Sequence, residues 1–290
     1  MKTTLVTGAN GQLGSELQEL TKGKSNFIFT DIIADGPVLK LDICNAGEVE
    51  NFIAVHKVKR IINCAGYTNV DGAQSNEDLC MKINVEGVVN LAEAAKRHNT
   101  VLVHISTDYV FDGNRRYTSY KESSLCRPVS IYGLSKRKSE LEVCRIGCRG
   151  IVIRTAWLYS PYGKNFVKTM LRIGAKQKEV GVVYDQIGTP TYARDLAKVI
   201  LRIFPSIKNK YGEIYHYTNG GSCSWYEFAS AIMEYASLDC KVTPLTTEQY
   251  PSVAPRPACS LLDKSKIKKE FGLYIPGWVE ALRECLSRMK

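Results

Sequence analysis

Residues 3–14 carry the clearest fold signal, and they read Thr3-Thr4-Leu5-Val6-Thr7-Gly8-Ala9-Asn10-Gly11-Gln12-Leu13-Gly14. The first five residues predict a short buried strand, and Leu13, Leu17 and Leu20 fall on one side of a following helix. A glycine turn between a strand and a helix lets the backbone approach a pyrophosphate, whose charge the helix N-terminus attracts. The spacing is Gly-x-x-Gly-x-x-Gly, so a tight structural turn remains the alternative to a dinucleotide site.

An acidic residue follows the next predicted strand. The strand spans residues 27–30 and ends at Asp31, 20 residues after Gly11. A carboxylate at this distance can hydrogen-bond the ribose hydroxyls of NAD. Residues 32–34 contain no Arg that would bind a 2′-phosphate, which favours NADH over NADPH. An Asp after a strand is also a common turn residue, so the preference stays open.

Strand and helix patterns alternate from residue 3 to about residue 155. Residues 41–43 close a third strand that would border an adenine. A fourth strand, 59–62, leads into residues 63–66, which would lie along a cofactor. The fifth, 101–105, precedes Ser106 and Thr107, whose hydroxyls would lie where ligands bind in open α/β sheets. Ser and Thr at strand ends are also frequent caps, so the sequence leaves that alternative open.

This alternation predicts an α/β fold, namely a Rossmann-type doubly wound parallel sheet with a smaller α+β substrate-binding domain. Residues 1–155 would form the NAD(P)-binding domain, and residues 185–205 would return to it with a helix over 193–204. Residues 156–184 and 206–290 would form the smaller domain. A substrate would then lie in the cleft between the two.

Tyr132-Gly133-Leu134-Ser135-Lys136 places a phenol and an ammonium on one face of a predicted helix. A free Tyr titrates near pH ~10, and a nearby positive charge lowers that pKa. We therefore expect Lys136 to lower the pKa of Tyr132, so that the phenol exchanges a proton with a sugar or alcohol oxygen. Taken alone, Tyr-x-x-x-Lys is more often a solvated helix face.

Composition excludes several other functions. The ten cysteines include no Cys-x-x-Cys pair and the four histidines do not cluster, so we expect free thiols and no metal. His104 lies in the apolar run 101–105 and is predicted to be a core or strand-end residue and not a catalytic base. The chain starts too close to its glycine turn for a signal peptide and contains no apolar run of ~20 residues. These features predict a cytoplasmic protein with no membrane partner.

The chain of 290 residues carries a formal net charge of +10. Nucleic acid is one explanation, but the basic residues are dispersed and no nucleic-acid-binding motif is present, so we expect no nucleic-acid partner. An anionic small molecule, such as a sugar attached to a diphosphate, fits the charge as well. Ordinary surface charge that serves no specific partner is the leading explanation.

Several motifs occur in order, each on its expected element. Together they resemble the extended short-chain dehydrogenase/reductases and, within them, the dTDP-4-dehydrorhamnose reductases. The specific motifs are Ser106-Thr107-Asp108-Tyr109-Val110-Phe111 and Asp185-Gln186-Ile187-Gly188-Thr189-Pro190-Thr191, supported by 154–159, 165–171 and Arg256-Pro257. The resemblance implies reduction of the 4-keto group of dTDP-4-dehydro-L-rhamnose to give dTDP-L-rhamnose, with NADPH or NADH as cofactor.

The resemblance also implies roles for individual residues. The catalytic set would be Thr107, Tyr132 and Lys136. The cofactor would contact Gly8, Asn10, Gly11, Gln12, Leu13, Gly14, Asp31, Asp42, Ile43, Cys64, Ala65, Gly66, Tyr67, Tyr132 and Lys136. The nucleotide sugar would contact Val70, Asp108, Tyr109, Trp157, Asn165 and Arg256.

Some members of the family form dimers through magnesium held by acidic side chains. Here Arg194 stands where such a member presents an acid, which argues against a metal-linked dimer and leaves a homodimer without metal open. Gly66 and Gln74 also depart from the usual Ala and Glu, and we expect activity to survive both changes.

Three alternatives remain. A nucleotide-sugar dehydratase of this superfamily carries Asp-Glu after Ser-Thr, whereas this chain has Asp108-Tyr109. An epimerase is harder to exclude from sequence. The regulatory subunit of a methionine adenosyltransferase has the same fold and acts by binding, but intact Thr107, Tyr132 and Lys136 argue for an enzyme.

Overall fold

The computed structural model describes residues 2–115 and 118–289. Its strands are β1 Thr3–Thr7, β2 Phe27–Asp31, β3 Leu39–Lys40, β4 Val58–Asn63, β5 Val101–Thr107, β6 Gly150–Thr155, β7 Leu158–Tyr159, β8 Glu179–Val183, β9 Ile187–Gly188, β10 Thr191–Tyr192, β11 Tyr211–His216, β12 Cys223–Ser224 and β13 Lys241–Leu245. Its α-helices are α1 Gln12–Leu20, α2 Ala46–Val55, α3 Val70–Ser75, α4 Glu77–Met81, α5 Gly87–Arg97, α6 Ile131–Ile146, α7 Phe166–Gly174, α8 Ala193–Ile203, α9 Trp225–Tyr235, α10 Ser265–Phe271 and α11 Trp278–Ser287. A π-helical turn, Lys82–Glu86, joins α4 to α5, and a 3₁₀ turn, Asp108–Val110, follows β5.

Seven parallel strands form the central sheet in the order β3-β2-β1-β4-β5-β6-β11. The chain leaves β1 in one direction toward β3 and resumes on its other side at β4. This reversal is the topological switch point at which open α/β sheets bind ligands. The predicted doubly wound parallel sheet is confirmed.

Helices cover both faces of the sheet. One core layer joins the sheet to α1, α8 and α10, through residues such as Leu17, Ile200 and Ile267. The opposite layer joins it to α2, α5 and α6, through residues such as Ile53 and Leu91. Burial on both faces explains the apolar runs Val101–Val103 in β5 and Ile151–Ile153 in β6.

The structure corrects one predicted boundary. The smaller domain was expected to include residues 206–290, but β11 at 211–216 pairs in parallel with β6 in the central sheet. The segment 156–192 interrupts what is otherwise a β6-α8-β11 unit, so the sequence distance conceals the pairing. The predicted helix returning to the sheet is found as α8, which packs on α1.

The smaller half of the molecule is built from α7, α9 and α11 with three two-stranded sheets, β7-β10, β9-β12 and β8-β13. Its core contains Val167, Phe228, Ile232 and Leu282, all of them buried. We keep the division into a cofactor domain and a substrate domain as a proposal, with β11 and α10 assigned to the first.

Among the helices within the described ranges, none combines the length and the apolar character that a bilayer-spanning segment requires.

The packing of α1 on the turn that precedes it generates a stability prediction. A Cβ at Gly14 would come within 2.5 Å of both Ala9 Cα and Gly8 O. Gly14→Ala should therefore lower the free energy of unfolding by ~1–3 kcal/mol through overpacking. Gly47→Ala is the matched control, because Gly47 is exposed near the start of α2 and its Cβ would meet Asn45 at an ordinary 3.5 Å.

Both substitutions restrict the unfolded chain equally, so their difference reports the native contact. Urea titration should show that Gly47→Ala leaves the free energy of unfolding unchanged or raises it by up to ~1 kcal/mol. Equal effects at the two positions would show that the turn tolerates a side chain at Gly14.

Candidate active site

A cleft of about 830 Å³ opens at the carboxyl edge of the central sheet, above the switch point. Most predicted site residues lie on its wall: Gly8, Gly11, Gln12, Leu13, Asp31, Asp42, Ile43, Cys64, Ala65, Gly66, Tyr67, Val70, Thr107, Asp108, Tyr109, Tyr132, Lys136, Trp157 and Arg256. Three predicted residues, Asn10, Gly14 and Asn165, lie off this wall.

The glycine turn forms one end of the cleft. Gly8 has a φ of +65°, and a side chain there would overlap the backbone of Ala65 after β4. Gly11 is the N-cap of α1 and has no side chain that could cap the first amides of the helix. A pyrophosphate at this position would accept from those amides, so the turn fits a dinucleotide.

Asp31 borders the same end of the cleft. Its carboxylate accepts hydrogen bonds from the backbone amides of Asn10 (2.9 Å) and Ile32 (2.8 Å). The Asn10 side chain donates instead to Ile33 O at 2.9 Å, which holds it behind the wall. A contact between Asn10 and a cofactor therefore stays a prediction.

Thr107 and Tyr132 meet at the centre of the cleft. Thr107 ends β5, and its Oγ1 donates to Asp108 Oδ1 at 3.1 Å and accepts from the Tyr109 amide at 3.2 Å. Tyr132 lies in the first turn of α6, which Ser130 caps by accepting from the Gly133 amide at 3.2 Å. Burial raises the pKa of Tyr132, although hydrogen bonding to Thr107 opposes this shift.

The structure contradicts the predicted tuning of Tyr132 by Lys136. The pKa of the phenol is raised rather than lowered, because burial dominates. Lys136 Nζ donates to Ile105 O at 2.6 Å, and burial lowers the pKa of this ammonium to about 8. Loss of hydration destabilises the charged form of each group, which is the phenolate of Tyr132 and the ammonium of Lys136.

His104 lies beneath Lys136 and is neutral. Ser139 Oγ donates to Lys136 O (2.7 Å), so it accepts from His104 Nε2 (3.1 Å), and His104 Nδ1 accepts from Asn63 (3.1 Å). Burial and the charge of Lys136 lower the pKa of His104 well below its usual value. The predicted core role of His104 is confirmed.

A buried ion pair supports the strand end on which Thr107 lies. Arg154 of β6 makes two hydrogen bonds of 2.7 Å to Glu140 of α6, and both side chains are fully buried. Ser106 Oγ donates to the same carboxylate at 2.6 Å. The carboxyl ends of β5 and β6 are thereby fixed to α6.

The predicted substrate residues do not all meet. Trp157 and Tyr109 face the cleft, and Tyr109 packs edge-on against Tyr132 at 5.6 Å. Arg256 also lines it and forms an ion pair with Asp71 at 3.0 Å. Asn165 instead caps α7 and donates to Gln12 Oε1 at 3.0 Å. This contact joins the glycine turn to the smaller half of the molecule.

Sequence reasoning missed several residues of the wall, and Asn84 and Trp225 make the most informative contacts among them. Asn84, in the π-helical turn, accepts from the Tyr67 amide (2.8 Å) and donates to Ser135 Oγ (2.9 Å). Trp225 stacks on Trp157 with centroids 3.5 Å apart. Nothing in the local sequence indicates the π-helical turn. The Ser224–Glu227 capping box does predict a helix start, but not that it faces the cleft.

No three His, Cys, Asp or Glu side chains in the described ranges come together as a metal site. Arg194 donates to the buried Glu16 at 3.0 Å, and Arg288 donates to it at 2.7 Å. Two guanidinium groups thus satisfy this carboxylate.

Known proteins resemble this chain over its whole length. The model of a family described as "RmlD substrate binding domain" matches residues 1–290. A dTDP-4-dehydrorhamnose reductase of Aggregatibacter actinomycetemcomitans is 41% identical, covering 98% of each chain. One from Escherichia coli K12 is 31% identical, covering 98% of this chain and 97% of its own.

Solved structures of dTDP-4-dehydrorhamnose reductases also resemble this chain over nearly its whole length. A dTDP-4-dehydrorhamnose reductase from Clostridium acetobutylicum has a TM-score of 0.92 at 42% identity, covering 100% of this chain and 99% of its own. One from Bacillus anthracis, in complex with NADP, has a TM-score of 0.90 at 38% identity, covering 99% and 100%.

The buried carboxyl of Asp108 generates a prediction on pH dependence. Burial raises its pKa to about 6, so between pH ~4 and 6 the native state holds a proton that the unfolded state has lost. This carboxyl therefore makes the wild type less stable as the pH rises through that window. As the pH rises from 4 to 7.5, the free energy of unfolding of Asp108→Asn should therefore increase by ~2–3 kcal/mol relative to that of the wild type. Urea unfolding at the two pH values measures this difference.

Asp112→Asn is the control with the opposite sign. The Tyr120 hydroxyl donates to Asp112 at 2.7 Å. The pKa of Asp112 is lowered by such hydrogen bonds, although burial opposes the shift. That carboxylate stabilises the native state above its unfolded pKa, so Asp112→Asn should lose stability relative to wild type as the pH rises. Parallel curves for Asp108→Asn and wild type would show that Asp108 titrates normally.

Proposed function

This chain belongs to the dTDP-4-dehydrorhamnose reductase family, and we propose that it reduces the 4-keto group of dTDP-4-dehydro-L-rhamnose to give dTDP-L-rhamnose. One observation carries the proposal: a single cleft joins the glycine turn at Gly8 to Thr107, Tyr132 and Lys136. A dinucleotide and a second ligand bound in this cleft would meet beside the two hydroxyls.

NADPH or NADH would lie along the wall from the turn at Gly8 and Gly11, past Asp31, to residues 64–67. When bound, the reduced nicotinamide supplies the hydride that a carbonyl carbon accepts. Lys136 is a candidate for the nicotinamide ribose, since its ammonium lies on the same wall as Tyr132. With a pKa of about 8, this ammonium remains mostly charged at neutral pH.

Tyr132 is suited to donate a proton rather than to accept one. Because burial raises its pKa, the phenol keeps its proton at neutral pH until negative charge develops on a nearby oxygen. Thr107 has one hydroxyl proton, which now goes to Asp108 Oδ1, and a substrate oxygen would compete for it. The two donors would stabilise the charge that forms on the sugar oxygen.

The geometry gives no support to a dehydratase. Elimination by a dehydratase would need a second acid after Asp108, and the residue there is Tyr109, packed edge-on against Tyr132. Net consumption of reduced cofactor separates the reductase from an epimerase, which recycles it. Complex formation with a synthetase, without any reduction, would favour the regulatory alternative.

We also infer a cytoplasmic site of action, where a nucleotide sugar and a reduced nicotinamide are both present. A homodimer remains a proposal. The ion pairs of Glu16 with Arg194 and Arg288 argue against linkage through a metal at that position.

Tyr132→Phe tests the proton donor. The change removes the phenolic proton and keeps the ring, so kcat should fall by ~10²–10⁴-fold while the Kd for NADH stays nearly unchanged. Tyr250→Phe is the matched control, because Tyr250 is exposed and lies outside the cleft, and it should retain wild-type kcat. Wild-type turnover in Tyr132→Phe, with hydride transfer rate-limiting, would assign the proton donor elsewhere.

Cofactor preference provides a second test. Asp31 presents a carboxylate to the cleft, and the cations on the wall, Lys136, Lys164 and Arg256, come from other segments. A 2′-phosphate beside Asp31 would be repelled, so wild type should favour NADH in kcat/KM. Asp31→Ser should shift the ratio toward NADPH by about tenfold, or ~1.4 kcal/mol.

Asp35→Ser makes the same change in net charge at an exposed residue outside the cleft, so the ratio should not move. An equal shift in both variants would indicate a general effect of charge, and no shift in either would remove Asp31 from cofactor selection.

A further inference from the structure

Two stacked tryptophans form part of the cleft wall. Trp157 follows β6, and Trp225 begins α9 in the smaller half. Their ring centroids are 3.5 Å apart and their planes differ by 11°, and both residues line the cleft. The pair therefore joins the two halves of the molecule at the site itself.

Trp157 has an unfavourable backbone conformation that its surroundings must hold. Its φ of +47° lies in the left-handed region. This backbone conformation is strained for a residue with a Cβ, so it lowers the stability of the native state. Its carbonyl accepts from the Thr191 amide at 3.2 Å. Gly188 packs so closely that a Cβ there would come within 2.5 Å of the indole, and Trp225 stacks on the same ring.

Trp225 is anchored independently of Trp157. Ser224 caps α9 in a capping box with Glu227, and Ser224 pairs with Ile187 between β12 and β9. Phe166 packs against the Trp225 ring at 4.6 Å. Trp225 is therefore a fixed support against which the Trp157 ring stacks.

Strand register places this pair beside the reacting groups. Thr155, at the end of β6, is the partner of Thr107 at the end of β5, and Trp157 lies two residues further along the chain. One side of the site thus presents the hydroxyls of Thr107 and Tyr132, and another presents indole. A 6-deoxyhexose has the same asymmetry, since its hydroxyls are polar while its ring C–H groups and methyl group are apolar.

We propose that Trp225 is a positioning and specificity residue, which by stacking on Trp157 sets the aromatic surface that receives the apolar side of the deoxysugar. This inference rests on the proposed function, because it takes a nucleotide-linked 6-deoxy sugar as the ligand. It assigns the indole pair to the sugar and not to the nucleotide base.

The test compares two ligands that differ only in the sugar. Binding of dTDP-L-rhamnose and of dTDP is measured by calorimetry, with cofactor present, for wild type, Trp225→Ala, Trp225→Phe and Trp278→Phe. Trp225→Ala should weaken dTDP-L-rhamnose about tenfold and leave dTDP unchanged, and Trp225→Phe should restore most of the loss. Equal weakening of both ligands, or of neither, would overturn the proposal.

Circular dichroism supplies a structural readout that needs no ligand. The chain has three tryptophans, and stacked indoles give a bisignate exciton band. Trp278 packs edge-on against Phe228 at 5.9 Å, so Trp278→Phe should retain the band. Trp157→Phe and Trp225→Phe should each lose it, and a band that survives both changes would show that the stack is absent.

These results are separable from the proposed function. Turnover of dTDP-4-dehydro-L-rhamnose by wild type tests the reaction, whereas the ratio of the two affinities tests Trp225. A purely structural role would lower the urea midpoint of Trp225→Ala without changing that ratio, and this outcome would refute the proposal while the reductase activity remained.

Discussion

Helix α6 is bound to the end of β5 by buried polar contacts, and the positions of Thr107, Tyr132 and Lys136, the three proposed catalytic residues, depend on them. Lys136 donates to Ile105 O (2.6 Å), His104 donates to Ser139 (3.1 Å), and Ser106 donates to Glu140 (2.6 Å). Ser139 and Glu140 follow Lys136 by three and four residues, so both lie on the same side of the helix as Lys136. Because Glu140 also binds Arg154 of β6, two strand ends and one helix form a single unit that holds Tyr132 beside Thr107.

Burial of this unit also sets its chemistry. The same loss of hydration raises the pKa of Tyr132 and lowers that of Lys136, so both groups are displaced toward their neutral forms. A phenol that retains its proton suits the reduction of a ketone, which ends with a proton on oxygen.

The sequence predicted those features that depend on local pattern. Strand–helix alternation predicted the sheet. Residues at strand ends, such as Asp31 and Thr107, lie on the cleft wall because parallel strands end at one edge. Features set by distant packing could not be predicted. Asn165 contacts Gln12, 153 residues away, and β11 joins β6 across an inserted segment. The burial that controls the pKa of Tyr132, and the contact of Trp225 with Trp157, likewise exist only in the folded chain.

The fate of a deuterium label tests the central claim most directly. The protein is supplied with dTDP-4-dehydro-L-rhamnose generated in situ and with NADH deuterated at C4 of the nicotinamide, and the sugar product is examined by NMR. If Thr107, Tyr132 and a bound nicotinamide border one space, each sugar reduced should consume one NADH and carry deuterium at its own C4. Conversion of the sugar with no net oxidation of NADH, and with no deuterium at C4, would contradict this account.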